Sequence, residues 1–107
     1  MKNLSQMLKQ AQAMQQKMAD MQAELETIEV EGEAGGGMVR VRLNAKGEMR
    51  ALRIDPALMK EDDPGLVEDL IIAAHNEARE KAQARMQEEM ARITGGLGLP
   101  EGFKLPF

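Results

Sequence analysis

The chain has 107 residues and a formal net charge of −4, with 43% hydrophobic and 30% charged residues. That is one small domain, near the size at which a single core is only modestly stable. With no Cys it forms no disulfide and does no thiolate chemistry; with no Trp or Tyr and its two Phe at positions 103 and 107, ten Met carry much of the apolar burial.

The first predicted element is a helix over residues 4–28. Leu4, Met7, Ala11, Met14, Met18, Met21, Leu25 and Ile28 follow steps of alternately three and four, an unbroken heptad seam with no Gly or Pro inside it. A helix of about 25 residues is about 37 Å long and overhangs a three-stranded sheet, so it calls for a partner. Met fills gaps without specifying them sharply, so the stripe reads as core packing or as a Met-rich groove for a peptide. Residues 1–19 hold Lys2, Lys9 and Lys17 and no acid. Their outward face of Asn, Ser, Gln and Lys suits phosphate contact and equally suits a solvated helix.

Residues 27–55 are the only stretch with strict alternation, which predicts strands. One register for the first hairpin sets Val30 opposite Val41 and Ile28 opposite Leu43, with Glu31 opposite Arg40 and Glu29 opposite Arg42. One face is then apolar and the other carries paired charges. Gly35, Gly36 and Gly37 make the turn; with no Lys-Ser/Thr or helix after them, they fit no phosphate-cradling motif. A second hairpin at Lys46-Gly47 pairs Val41 with Leu52 and Val39 with Ile54, sets Arg40 opposite Arg53, and needs positive φ at Lys46 or a bulge beside Gly47. Residues 38–54 carry +4, and residues 1–19 carry +3, which leaves −11 on the remainder. Such polarity can steer a polyanion to one side of a molecule.

Asp55-Pro56 predicts a short capped turn, and Asp63-Pro64 repeats the signal ahead of a second long helix over 64–94, which Gly95-Gly96 is expected to stop. Leu66, Val67, Leu70, Ile71, Ala74, Ala78, Ala82, Met86, Met90 and Ile93 mark its buried side. The alanine series is spaced for close approach of another helix. Its charges pair at i,i+4 as Glu77–Lys81, Arg85–Glu89 and Glu88–Arg92, leaving Arg79 without a local acid. Residues 95–107 form an irregular tail whose Phe103 and Phe107 either dock on the body or capture a partner. The division is therefore one domain over 1–94 and a tail over 95–107.

Catalytic groups are scarce. His75 is the only His and Ser5 the only Ser, too few for a nucleophilic triad or a zinc site of the usual kind. Glu61-Asp62-Asp63 lacks calcium-loop spacing. No enzyme activity, cofactor, metal or small-molecule substrate is expected. No apolar run reaches the roughly 20 residues of a membrane span, and the opening MKNLSQMLKQ lacks the apolar core of a secretory leader. A cytosolic protein with no membrane partner is the expectation.

The block GGGMVRVRLNAKGEMRALRIDPAL at 35–58, the terminal GGLGLPEGFKLPF at 95–107 and the Met/Gln-rich first helix resemble the YbaB/EbfC family of bacterial nucleoid-associated proteins, over almost the whole chain. The resemblance implies an α+β fold of order α-β-β-β-α, a three-stranded antiparallel meander between two long helices. It also implies a homodimer with projecting helical arms that binds double-stranded DNA in the nucleoid with limited sequence preference. The DNA-contact candidates in this chain are Lys2, Lys9, Lys17, Arg40, Arg42, Arg50, Arg53 and Arg79, although cross-strand pairing with Glu29, Glu31 and Glu33 competes for Arg40 and Arg42. For dimerisation the candidates are Met7, Met14, Met18, Met21, Leu25, Val39 and Val41. The competing expectation is a protein–protein adaptor that uses the Met seam and the tail.

Overall fold

The computed structural model describes residues 2–96, with side chains for 3–93. Its elements run α1 (Lys2–Thr27), β1 (Glu29–Ala34), β2 (Val39–Asn44), β3 (Met49–Ile54), α2 (Pro56–Met59) and α3 (Pro64–Gly96). The strands form one antiparallel sheet in the order β1-β2-β3. The expected α-β-β-β-α order and meander are both present.

The register of the first hairpin is shifted by two residues from the expected one. Val30 lies opposite Leu43, Gly32 opposite Val41, Glu31 opposite Arg42 and Glu33 opposite Arg40. The loose loop expected over 32–38 contracts to four residues because Gly35, Gly36 and Gly37 all adopt positive φ. A shift of two preserves which side chains share a face, so the apolar and charged faces survive the correction. It also places Gly32 in the middle of β1, where it is buried. A Cβ on Gly32 would overlap the Ala74 carbonyl oxygen and the Ala78 amide nitrogen. The alanine series on α3 therefore serves close approach of a strand rather than of a second helix.

The second hairpin has the expected register at Val39–Ile54, Arg40–Arg53 and Val41–Leu52. Its turn differs from the expected devices: Lys46 keeps negative φ while Gly47 takes φ 92°, and the bulge falls at Arg50 rather than beside Gly47. Buried Asn44 organises the turn. Its Oδ1 accepts from the amides of Lys46 (3.0 Å) and Glu48 (2.9 Å), and its Nδ2 donates to the Glu48 carboxylate at 2.7 Å. That last bond, ahead of an opposing desolvation and the nearby charges of Arg50 and Lys46, holds Glu48 below the ordinary carboxylate value.

Two small cores follow. Val39, Val41, Leu43, Leu58, Ala74 and Ala78 fill the space between sheet and α3. Met21, Leu25 and Ala45, with Met18, Ile28, Met86, Met90 and Ile93 beside them, join the end of α1 to the end of α3. The Ala45 amide donates to the carbonyls of Leu25 (3.1 Å) and Ile28 (2.9 Å), so the β2–β3 turn closes the last turn of α1. Both proline-led helix starts are capped as expected, Asp55 accepting from the Ala57 amide at 2.8 Å and Asp63 from the Leu66 amide at 3.1 Å. Helix α3 runs on through Gly95 and Gly96, so these glycines do not stop it where expected; the tail over 97–107 lies outside the described residues.

The rest of α1 projects. The molecule measures 72 × 23 × 17 Å with a radius of gyration of 19.7 Å, against about 13 Å for a compact chain of 100 residues. Glu24 clasps the arm to the body: the Arg92 guanidinium donates to it at 3.1 Å and also bonds buried Glu89. The expected Glu88–Arg92 pair is displaced, because Arg92 turns across to α1 and Arg85 takes Glu88 at 3.5 Å.

Gly32→Ala is expected to destabilise the fold by about 1–3 kcal/mol, the usual cost of overpacking. For a domain of this size that lowers Tm by at least about 4 °C. Thermal unfolding followed by circular dichroism measures it, and an unchanged Tm contradicts the close-packed strand–helix contact.

Candidate nucleic-acid interface and dimer surface

Alternation along the sheet puts Glu31 and Glu33 of β1, Arg40 and Arg42 of β2, and Ala51 and Arg53 of β3 on the face turned away from α3. Arg40 is drawn toward β1. Its Nη1 donates to Glu31 at 3.4 Å, its Nη2 lies 3.8 Å from Glu33, and its Nε donates to the Gly37 carbonyl at 3.4 Å. The cross-strand pairing expected for Arg40 is present. Arg42, opposite Glu31 in register, loses that carboxylate to Arg40. Arg50 pairs with Glu48 at 3.7 Å. Arg53 and Arg42 have no ion-pair partner among the described residues, and together with Arg40, Glu31 and Ala51 they line a shallow hollow of about 260 Å³.

The arm presents a second cationic zone. Lys9 and Lys17 are exposed and make no ion pair among the described residues, and Asp20, the first acid along the chain, accepts from Gln16 at 2.9 Å. The Lys2 side chain lies outside the described residues. Arg79, exposed on α3, is likewise without an ion pair among them. It borders a hollow of about 420 Å³ with Lys46, His75 and Gln83 over a floor of Ala45, Ala82 and Met86. Lys46 is held by Glu26 at 3.1 Å. The candidate cations thus lie in three places: on the open face of the sheet, along the arm, and on α3 beside the β2–β3 turn. Among the described residues no three His, Cys, Asp or Glu side chains gather as metal ligands, and no described helix is long and apolar enough to cross a membrane.

The candidate dimerisation residues divide. Met21, Leu25, Val39 and Val41 are buried within a single protomer and have no surface left to offer a second copy. Met14 and Met18 are half-buried and Met7 is 63% exposed. Two further exposed apolar groups lie outside the dimerisation candidates. Leu4 and Leu8 on the arm are 63% and 59% exposed, and Leu52 and Met49 on the apolar face of β3 are 43% and 47% exposed. A helix about 10–12 Å across covers roughly two strands spaced about 4.8 Å apart. Helix α3 sits over β1 and β2, so the third strand is left uncovered. The strand count and the single long helix after it were the available signal.

A solved structure of an uncharacterized protein, HP0035, from Helicobacter pylori has the same fold, with a TM-score of 0.76 over 85% of this chain and 96% of that one at 22% identity. A nucleoid-associated protein of Methylocella silvestris is 56% identical over all 107 residues, spanning the full length of both chains. The nucleoid-associated protein Atu0095 of Agrobacterium fabrum is 53% identical over the same span. The family model described as the YbaB/EbfC DNA-binding family matches residues 1–97, and the chain belongs to that family.

Proposed function

We propose that this protein is a nucleoid-associated, non-enzymatic DNA-binding protein of the bacterial cytoplasm, acting as a homodimer that holds duplex DNA mainly by its phosphates. The observation that carries the reading is the α1 arm. Residues 2–19 of it hold no acid, it stands clear of the body, and Lys9 and Lys17 are exposed without carboxylate partners among the described residues. Long side chains on a projecting rod can follow a phosphate backbone, and Gln and Asn beside them add neutral donors. No described side chain offers an aromatic platform for stacking single strands, which favours duplex.

The second copy is assigned to the uncovered apolar side of β3. Met49 and Leu52 continue the buried face of the sheet past the reach of α3, and β3 is an edge strand with one side unpaired. A partner seated there buries both and satisfies the edge. The exposed seam of Leu4, Met7 and Leu8 then lies on two arms, where each can meet the other copy. Two arms double the phosphate contacts and supply avidity.

Two outcomes are expected. Leu52→Glu converts a dimer to a monomer in size-exclusion chromatography with light scattering while the circular dichroism spectrum is kept; a dimer that survives both Leu52→Glu and Met49→Glu removes β3 as the interface. In fluorescence anisotropy with a labelled duplex, Kd weakens log-linearly with salt. Lys9→Glu with Lys17→Glu lowers that slope by up to about 3.6, at about 0.9 for each of four lost contacts per dimer. No affinity at the lowest salt, or an unchanged slope, contradicts the arm reading.

A further inference from the structure

We infer that Arg42 and Arg53 form a phosphate-group subsite on the open face of the sheet, centred over Ala51. The argument begins with a cost. Arg40 and Arg53 lie directly opposite each other across β2 and β3, and like charges in that position destabilise a sheet. Arg40 relieves part of the repulsion by turning toward Glu31, Glu33 and the Gly37 carbonyl. No carboxylate among the described residues answers Arg53, and Arg42 has lost its register partner Glu31 to Arg40. Two guanidiniums remain unneutralised beside a third that is only shared.

The space between them fits the charge. Ala51 is the residue opposite Arg42, and its single methyl leaves the hollow of about 260 Å³ that the three arginines and Glu31 border. A larger side chain at 51 would fill it. Glu31 lies on the β1 side and is already bonded to Arg40, so the open approach is from β3, where Arg53 stands. Planar guanidiniums present forked donors that match phosphate oxygens. A phosphate group placed over Ala51 takes donors from Arg42 and Arg53 and removes the repulsion that the empty sheet carries. Its source is either the backbone of a nucleic acid or a free phosphorylated ligand. The hollow is lined by sheet residues alone, with none from α1. It does not rest on the α1 reading, and the two can fail separately.

The test uses the full chain with pyrophosphate as probe, followed through the Arg Nε–Hε resonances. Saturable shifts confined to Arg42, Arg53 and Arg40 are expected, with affinity at least tenfold weaker in Arg42→Gln/Arg53→Gln and unchanged in Lys9→Gln/Lys17→Gln. The arginine double variant is expected to unfold at the same or a higher temperature than the parent, because it removes a like-charge pair. A clear fall in Tm overturns the proposal by making the arginines structural. So do non-saturating shifts spread equally over Arg50, Arg79 and Arg85. Duplex anisotropy on the same variant identifies the source: weaker DNA binding with a lower salt slope assigns the subsite to the nucleic-acid backbone, and unchanged DNA binding assigns it to a free phosphorylated ligand.

Discussion

The contact on which the rest of the molecule depends is Gly32 against Ala74 and Ala78. There the backbone of β1 and the backbone of α3 meet with no side chain between them, and only glycine on the strand and alanine on the helix allow it. The approach fixes α3 over β1 and β2. From that position the sheet acquires two unlike faces, a dry one beneath the helix and an open one carrying Arg40, Arg42 and Arg53. It also determines that one helix is not enough, because the apolar side of β3 extends past it.

The same economy shapes the arm. With no aromatic residue in the body, the apolar core is two small clusters linked through the β2–β3 turn. Asn44 shapes that turn from within, Ala45 lends its amide to the end of α1, and Glu24 reaches Arg92 on α3. These attachments lie within the last two turns of α1. Residues 3–13 project into solvent with an apolar seam and a row of amides and a lysine. A surface of that kind is poorly suited to an isolated monomer and well suited to an element that finds its partners, protein and phosphate, outside its own protomer.

Much of this was legible in the sequence, and the losses have physical causes. Alternation and the two Asp-Pro caps gave the element order and the faces of the strands, because period and capping are local properties. The first hairpin register slipped by two because Gly32 read as part of a glycine loop; its role depends on Ala74 and Ala78, more than 40 residues away. The heptad seam of α1 gave the packing face and its overhang, but periodicity names a face without naming what covers it, so Met21 and Leu25 are inside while Met7 is outside. The assignment of Arg92 to Glu88 failed for a similar reason. Helical spacing counts neighbours on one helix and cannot see Glu24 arriving on another. For the sheet arginines, the opposition of Arg40 and Arg53 and the pairing of Arg40 with Glu31 were readable, whereas the loss of a partner at Arg42 was not, because it depends on Arg40 reaching across to Glu31 in the observed register.

The central claim is that two α1 arms, brought together by the β3 edges of two copies, hold a duplex between them. With no native Cys, one spin label at Gln12→Cys reports the separation of the arms directly by electron–electron double resonance. A defined inter-arm distance is expected in the free dimer, with a changed and narrower distribution when a duplex is bound and loss of the dipolar signal in Leu52→Glu. A distribution that is identical with and without saturating duplex, in a dimer that does bind it, contradicts the claim.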